Sequence, residues 1–100
     1  MSAADITITR ETSETRGRYI ARVTGHDETG KLTFSISSAT LVIADHTGVP
    51  DVFRGMGVGL ALVERLVADA REQGFKIMPL CPFVNAQRKR HPEWADVFSV

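Results

Sequence analysis

Three glycines, Gly55, Gly57 and Gly59, stand at every second position of FRGMGVGLALVERLVADA (53–70), a stretch that then runs straight into helical periodicity. Glycine loses the most backbone entropy on folding and weakens a first helical turn, so something here requires bare backbone. Two needs fit the pattern. One is a tight strand-to-helix turn with close packing; the other is a loop whose N–H groups face an anion such as a pyrophosphate.

The flanking segments decide what such a turn can join. ITITR (6–10) and GRYIARVTG (17–25) alternate and are rich in β-branched residues, with ETSETRG as the turn between them. HDETG (26–30) reads as a glycine-closed hairpin loop leading into KLTFSIS (31–37), which carries Leu32, Phe34 and Ile36 on one face. ATLVIADH (39–46) is nearly continuous apolar sequence ending in Asp45 and His46, the signature of a central fourth strand. Beyond Pro50 and the glycines, Val58, Leu62, Val63, Leu66, Val67 and Ala70 recur at helical spacing. Glu64, Arg65, Asp69 and Arg71 project away from that stripe, and Gly74 suits a C-terminal cap. FKIMPL (75–80) supplies a fifth strand, and PFVNAQRKRH (82–91) opens with proline as a short second helix.

The long helix must therefore cross over and make strands four and five parallel neighbours, giving an α/β (α+β) mixed sheet with strands 1–4 antiparallel. Ligands of open α/β sheets bind outside the carboxyl ends of parallel strands. Asp45 and His46 end one of these strands and Cys81 ends the other, so imidazole, thiol and glycine loop are expected at one edge.

With 100 residues, 43% hydrophobic, and a formal net charge of zero, the chain has the size of one small domain with a modest core (1–100). Balanced charge gives no global field to gather nucleic acid or an anionic membrane, so neither is expected as a partner. The opening residues show no basic segment followed by an apolar core, and Cys81 is the single cysteine. Both fit a cytoplasmic protein. The possible metal ligands are scattered, so no metal is expected.

A Walker loop needs Lys and a hydroxyl residue after its last glycine, but Leu60 and Ala61 follow Gly59. A dinucleotide-binding fold would place the glycines in its first βαβ unit, whereas four strands precede them here. RGMGVG (54–59) instead resembles the R/Q-x-x-G-x-G/A acyl-CoA loop of the GCN5-related N-acetyltransferases. Together with HTGVP (46–50), PLCPFV (79–84) and HPEW (91–94), it resembles the small, single-domain acetyltransferase-like branch of that superfamily over nearly the whole chain.

That resemblance implies an N-acetyltransferase using acetyl-CoA as co-substrate and an unidentified amine as acceptor. It also implies a thioester held between splayed fourth and fifth strands. Val49, Arg54, Gly55, Met56, Gly57, Val58 and Gly59 would hold the CoA, with Arg54 or the basic run Arg88, Lys89 and Arg90 on its 3′-phosphate. His46 is the candidate base, and Cys81 the candidate acid toward the departing sulfur, or a nucleophile. His46 as a turn cap, Cys81 as a small buried hydrophobe, and the basic run as a solvated helix end are the plainer alternatives. His26 and His91 are expected in solvated or capping roles, Trp94 and Phe98 as anchors of the C-terminus.

Position 87 carries Gln87 where this branch often has an aromatic residue, and the only tyrosine, Tyr19, lies on an early strand. Larger members of the superfamily build the acceptor site from helices after the first strand, and the strand-rich N-terminal half leaves no room for them. The acceptor would meet an open cleft, or a protein partner would complete it. A non-catalytic acyl-CoA-binding or sensor module, or a protein-interaction module, on the same fold is the alternative function.

Overall fold

The structure, a computed structural model, describes residues 5–100. Five strands, β1 (Ile6–Thr12), β2 (Arg16–Val23), β3 (Thr29–Ser38), β4 (Leu41–Gly48) and β5 (Lys76–Pro79), form one sheet in the order β1-β2-β3-β4-β5. The first four pair antiparallel and β4 pairs parallel with β5. The crossover is helix α1 (Val58–Gln73), and a shorter helix α2 (Pro82–Arg90) follows β5.

Pairing, not hydropathy, sets the strand ends. β4 was expected to stop at His46, but Leu32 and Lys31 of β3 pair with Thr47 and Gly48 and carry the ladder further. β3 likewise begins inside the expected hairpin loop, because Thr29 pairs with Arg22. Two 3-10 turns, Asp51–Phe53 and Pro92–Val97, carry no periodic apolar signal and were not foreseen.

One face of the sheet carries the core. Tyr19, Ala21, Val23, Leu32, Phe34, Val42, Ala44 and Ile77 pack there against Val58, Leu62, Val63, Leu66, Val67 and Ala70 of α1. Cys81 and Val84 from the start of α2 join the same cluster, as do Trp94, Val97 and Phe98. Phe98 also bridges to Ile77 on the outer edge of β5, so the two aromatic residues anchor the C-terminus as expected. At the far end of α1, Gly74 adopts φ +77° and its N–H donates to Ala70 O.

Asp69 departs from the solvent-facing role its position on the helix suggested. It is buried beside the sheet, where its carboxylate accepts the Tyr19 hydroxyl at 2.7 Å and lies 3.3 Å from both Arg10 and Arg65. Burial, with the neighbouring carboxylate, pushes the Tyr19 phenol well above its ordinary range. Tyr19 is thereby a structural donor in the core.

The opposite face carries Thr9, Glu11, Arg18, Arg22, Lys31 and Thr33, all outside the hydrophobic cluster. Only Ser13 to Thr15 separate β1 from β2, and no helix among the described residues covers this face.

Candidate functional site

Each glycine of the loop has its own geometric reason. Gly55 and Gly57 take φ +79° and +76°, a left-handed backbone that L side chains rarely adopt, and a Cβ on either would meet nothing within 4 Å. Gly59 is different: a Cβ there would lie 2.7 Å from the Phe83 ring, so its hydrogen lets the first turns of α1 and α2 touch. The turn thus serves close packing at one glycine and leaves open space at two.

Gly57 is the N-cap of α1 and supplies no side-chain hydrogen bond, and the first turn holds no acidic residue. The amides at the start of the helix are left without an intrahelical acceptor and the positive end of the dipole without a neutralising group. Val58 is buried, so what it offers the loop edge is its backbone. Met56 packs against the core, while Arg54 is exposed and paired with Asp51 at 3.3 Å.

Beside this turn the parallel strands part. β4 and β5 pair only from Leu41–Lys76 to Ala44–Pro79, after which Cys81 N–H donates to Ala44 O and β4 continues to Gly48 paired with β3 but not with β5. Where the strands separate, β4 bulges: Phe34 pairs with Ala44 and Thr33 with His46, leaving Asp45 as the extra residue. Ser35 Oγ donates to Asp45 Oδ2 at 2.6 Å and pins the bulge. Around the parting stand exposed or half-exposed apolar residues, Val49 and Val52 on the β4 side and Leu80 and Phe83 on the β5 side.

The bulge changes which residue meets the thiol. His46 was expected to converge with Cys81, but the partner of the Cys81 sulfur is Thr47 Oγ1, at 3.4 Å. Strand alternation then turns His46 to the other face, where it is exposed and its Nε2 lies 3.6 Å from the position of a Cβ on Gly48. Cys81 is buried on the helix side at 2% exposure. Thr47 escaped the sequence reading because its facing depends on a one-residue bulge that no periodicity announces.

Arg88, Lys89 and Arg90 occupy the last turn of α2, the end away from Phe83, roughly 9–12 Å along the helix axis from Pro82. Arg88 Nε donates to Asn85 Oδ1 at 2.7 Å. The loop edge and the basic run are therefore at opposite ends of α2, and Arg54 is the cation beside the glycines. His91 caps α2 through its backbone N–H, stacks on Trp94 with ring centroids 4.0 Å apart, and meets Glu93 at 2.9 Å. His26 is exposed and sets its ring edge to Phe53.

A mixed sheet that opens at its one parallel pair, with a glycine turn starting the crossover helix beside the opening, is the architecture of an acetyltransferase-type α/β protein. Residues 18–97 match the GCN5-related N-acetyl-transferase family, and the chain belongs to that family. No curated protein matches the chain.

Proposed function

We propose that residues 1–100 form one acyl-CoA-binding domain that transfers the acetyl group of acetyl-CoA to an amine. One observation carries this reading: the uncapped start of α1, with open space above Gly55 and Gly57, lies next to the parting of β4 and β5. Met56 N–H is spent on Phe53 O at 3.0 Å, so the backbone N–H groups of Gly57, Val58 and Gly59 at the start of α1 would hold the pyrophosphate, with open space above Gly55 and Gly57 for it. Arg54, exposed beside the loop, would exchange Asp51 for the 3′-phosphate, and the exposed side chains of Val49, Val52, Leu80 and Phe83 would offer apolar contact to the pantetheine arm. When bound, acetyl-CoA supplies a thioester carbonyl open to attack and a sulfur leaving group.

His46 and Cys81 then divide the proton transfers between the two faces. His46, exposed on the face without helices, takes the proton that the acceptor ammonium must lose; the freed lone pair forms the C–N bond as the C–S bond breaks. Cys81, on the helix face and held by Thr47, gives a proton to the departing sulfur, while the second proton shed by the nitrogen as the amide forms goes to solvent, which reprotonates Cys81. Opposite placement suits an amine that arrives from one face and a thiol that leaves on the other.

The same separation favours a second reading, an acyl-CoA-binding module with little turnover. Incubating purified protein with acetyl-CoA and pooled amines, and reading released thiol, decides between them. Turnover with shifts in the amides of residues 54–60 is the expected result; shifts without thiol release would leave the binding module, and unmoved amides would leave the loop a turn.

A further inference from the structure

A depression of about 390 Å³ is lined by Glu11, Ser13, Arg16, Arg18 and Thr33, among others. Its edge runs into the proposed transfer site, because Thr33 pairs with His46 across β3 and β4. A volume of this order accepts a small molecule.

The face without helices is polarised from the depression toward β4, where Asp45 lies beyond the lining, displaced by the bulge from the row of Arg16, Ser35 and Ile43. Arg16 is the register partner of Ser35, and Ser35 in turn binds the Asp45 carboxylate at 2.6 Å. A cation and an anion thus flank Ser35 on the same face, about 10 Å apart across two strand spacings. They do not satisfy each other: Asp45 is tied to Ser35, and Arg16 is exposed with no ion pair among the described residues. Arg18 stands one row along, with its guanidinium 2.7 Å from Glu11.

We propose that the acceptor is a small zwitterion, a primary amine whose far end carries a carboxylate or phosphate. It lies across the face without helices, its ammonium toward Asp45 and His46 and its anionic end on Arg16 and Arg18. A guanidinium is suited to the planar carboxylate or the phosphate, and the carboxylate of Asp45 draws the amine toward the parting of the strands. This rests on the acetyl-transfer reading and adds to it the chemical class of the acceptor and the face by which it enters.

The test uses a matched series in which only the far end changes: 6-aminohexanoate, 6-aminohexyl phosphate, 6-aminohexan-1-ol and 1,6-diaminohexane. Amide spectra of the labelled protein are recorded with CoA alone and then with each amine. The expected result is that both anionic amines shift Arg16, Arg18 and Thr33 and are acetylated with a KM ~10-fold or more below those of the neutral and cationic members, as a charge-assisted bond allows. Arg16→Ala should raise the KM for the anionic amines toward that of the alcohol, leaving the KM for acetyl-CoA unchanged, and Arg16→Lys should restore part of the difference. A preference for the diamine or the alcohol overturns the proposal, as does Arg16→Ala without effect, or capture of an acidic peptide but of neither small anion. CoA shifts at residues 54–60 with no amine shifts at Arg16 and Arg18 would sink the acceptor site alone, whereas absent CoA shifts would sink the transfer reading beneath it.

Discussion

Thr47 Oγ1 lies 3.4 Å from the sulfur of Cys81, joining the fourth strand to the N-cap of the second helix across the point where the parallel strands part. A hydroxyl can donate to a thiolate, the form that reacts with alkylating agents. Thr47→Val should therefore slow alkylation of Cys81 by iodoacetamide about tenfold at fixed pH, near the lower end of what a hydrogen bond to a charged group contributes. Thr47→Ser should keep the native rate. His46→Ala should also leave the rate unchanged, since the imidazole points to the other face; a slowed His46→Ala protein with a native Thr47→Val rate would show that the thiol answers to histidine instead.

The glycines of the loop should separate under mutation. Gly57→Val forces a branched side chain into φ +76°, a left-handed strain of about 1–2 kcal/mol, and places bulk in the open space above the turn. Acetyl-CoA binding, followed by calorimetry, should be lost while the circular dichroism spectrum stays native. Gly59→Ala should change the unfolding free energy by less than ~1 kcal/mol, because the clash is with the end of a half-exposed Phe83 ring and alanine favours the helix.

Asp69 is the hub that fastens α1 to the first two strands. Removing it in Asp69→Ala leaves Arg10 and Arg65 without their carboxylate against the sheet and the Tyr19 hydroxyl without an acceptor. Urea denaturation should show a loss of about 3 kcal/mol, in line with breaking a buried ion pair from one side. Tyr19→Phe, which removes one bond and leaves the charges paired, should lose about 1 kcal/mol. The raised Tyr19 pKa adds a pH signature. Its contribution to stability is complete below the phenol's ordinary range and falls as the solution becomes more alkaline, so tyrosinate absorbance should rise together with the loss of native dichroism.

The C-terminal turn should loosen in acid. The hydrogen bond from Arg71 holds the Asp96 carboxyl below its ordinary range, and the contact with His91 does the same for Glu93. A depressed pKa means stabilisation that is complete above the unfolded value and is lost as pH falls through the folded one. Trp94, the only tryptophan, sits in this turn, so its emission should shift to the red below about pH 4 before the global dichroism changes. Asp96→Asn should move that shift to higher pH; an emission that tracks global unfolding in both proteins would count against a separate loosening.

Sequence alone determined the order of elements, the parallel pairing of the fourth and fifth strands, and the helix after the glycines. Each follows from local chemistry: β-branched alternation, the 3.6-residue apolar repeat, and the chirality that makes a crossover helix pack only one way. It also marked the glycine turn as the place where backbone must be bare. Tertiary structure alone decided which side chains meet. The bulge at Asp45 depends on the register between β3 and β4, and register inverts facing at every step, so His46 and Thr47 exchanged roles beside Cys81. Asp69 belongs to the same class: on α1 it falls among charged residues, and only docking onto Arg10 and Tyr19, more than fifty and exactly fifty positions earlier, turns it into a core residue. Periodicity reports how a segment presents its own faces, whereas the partner each face receives is set by the packing of segments distant in the chain.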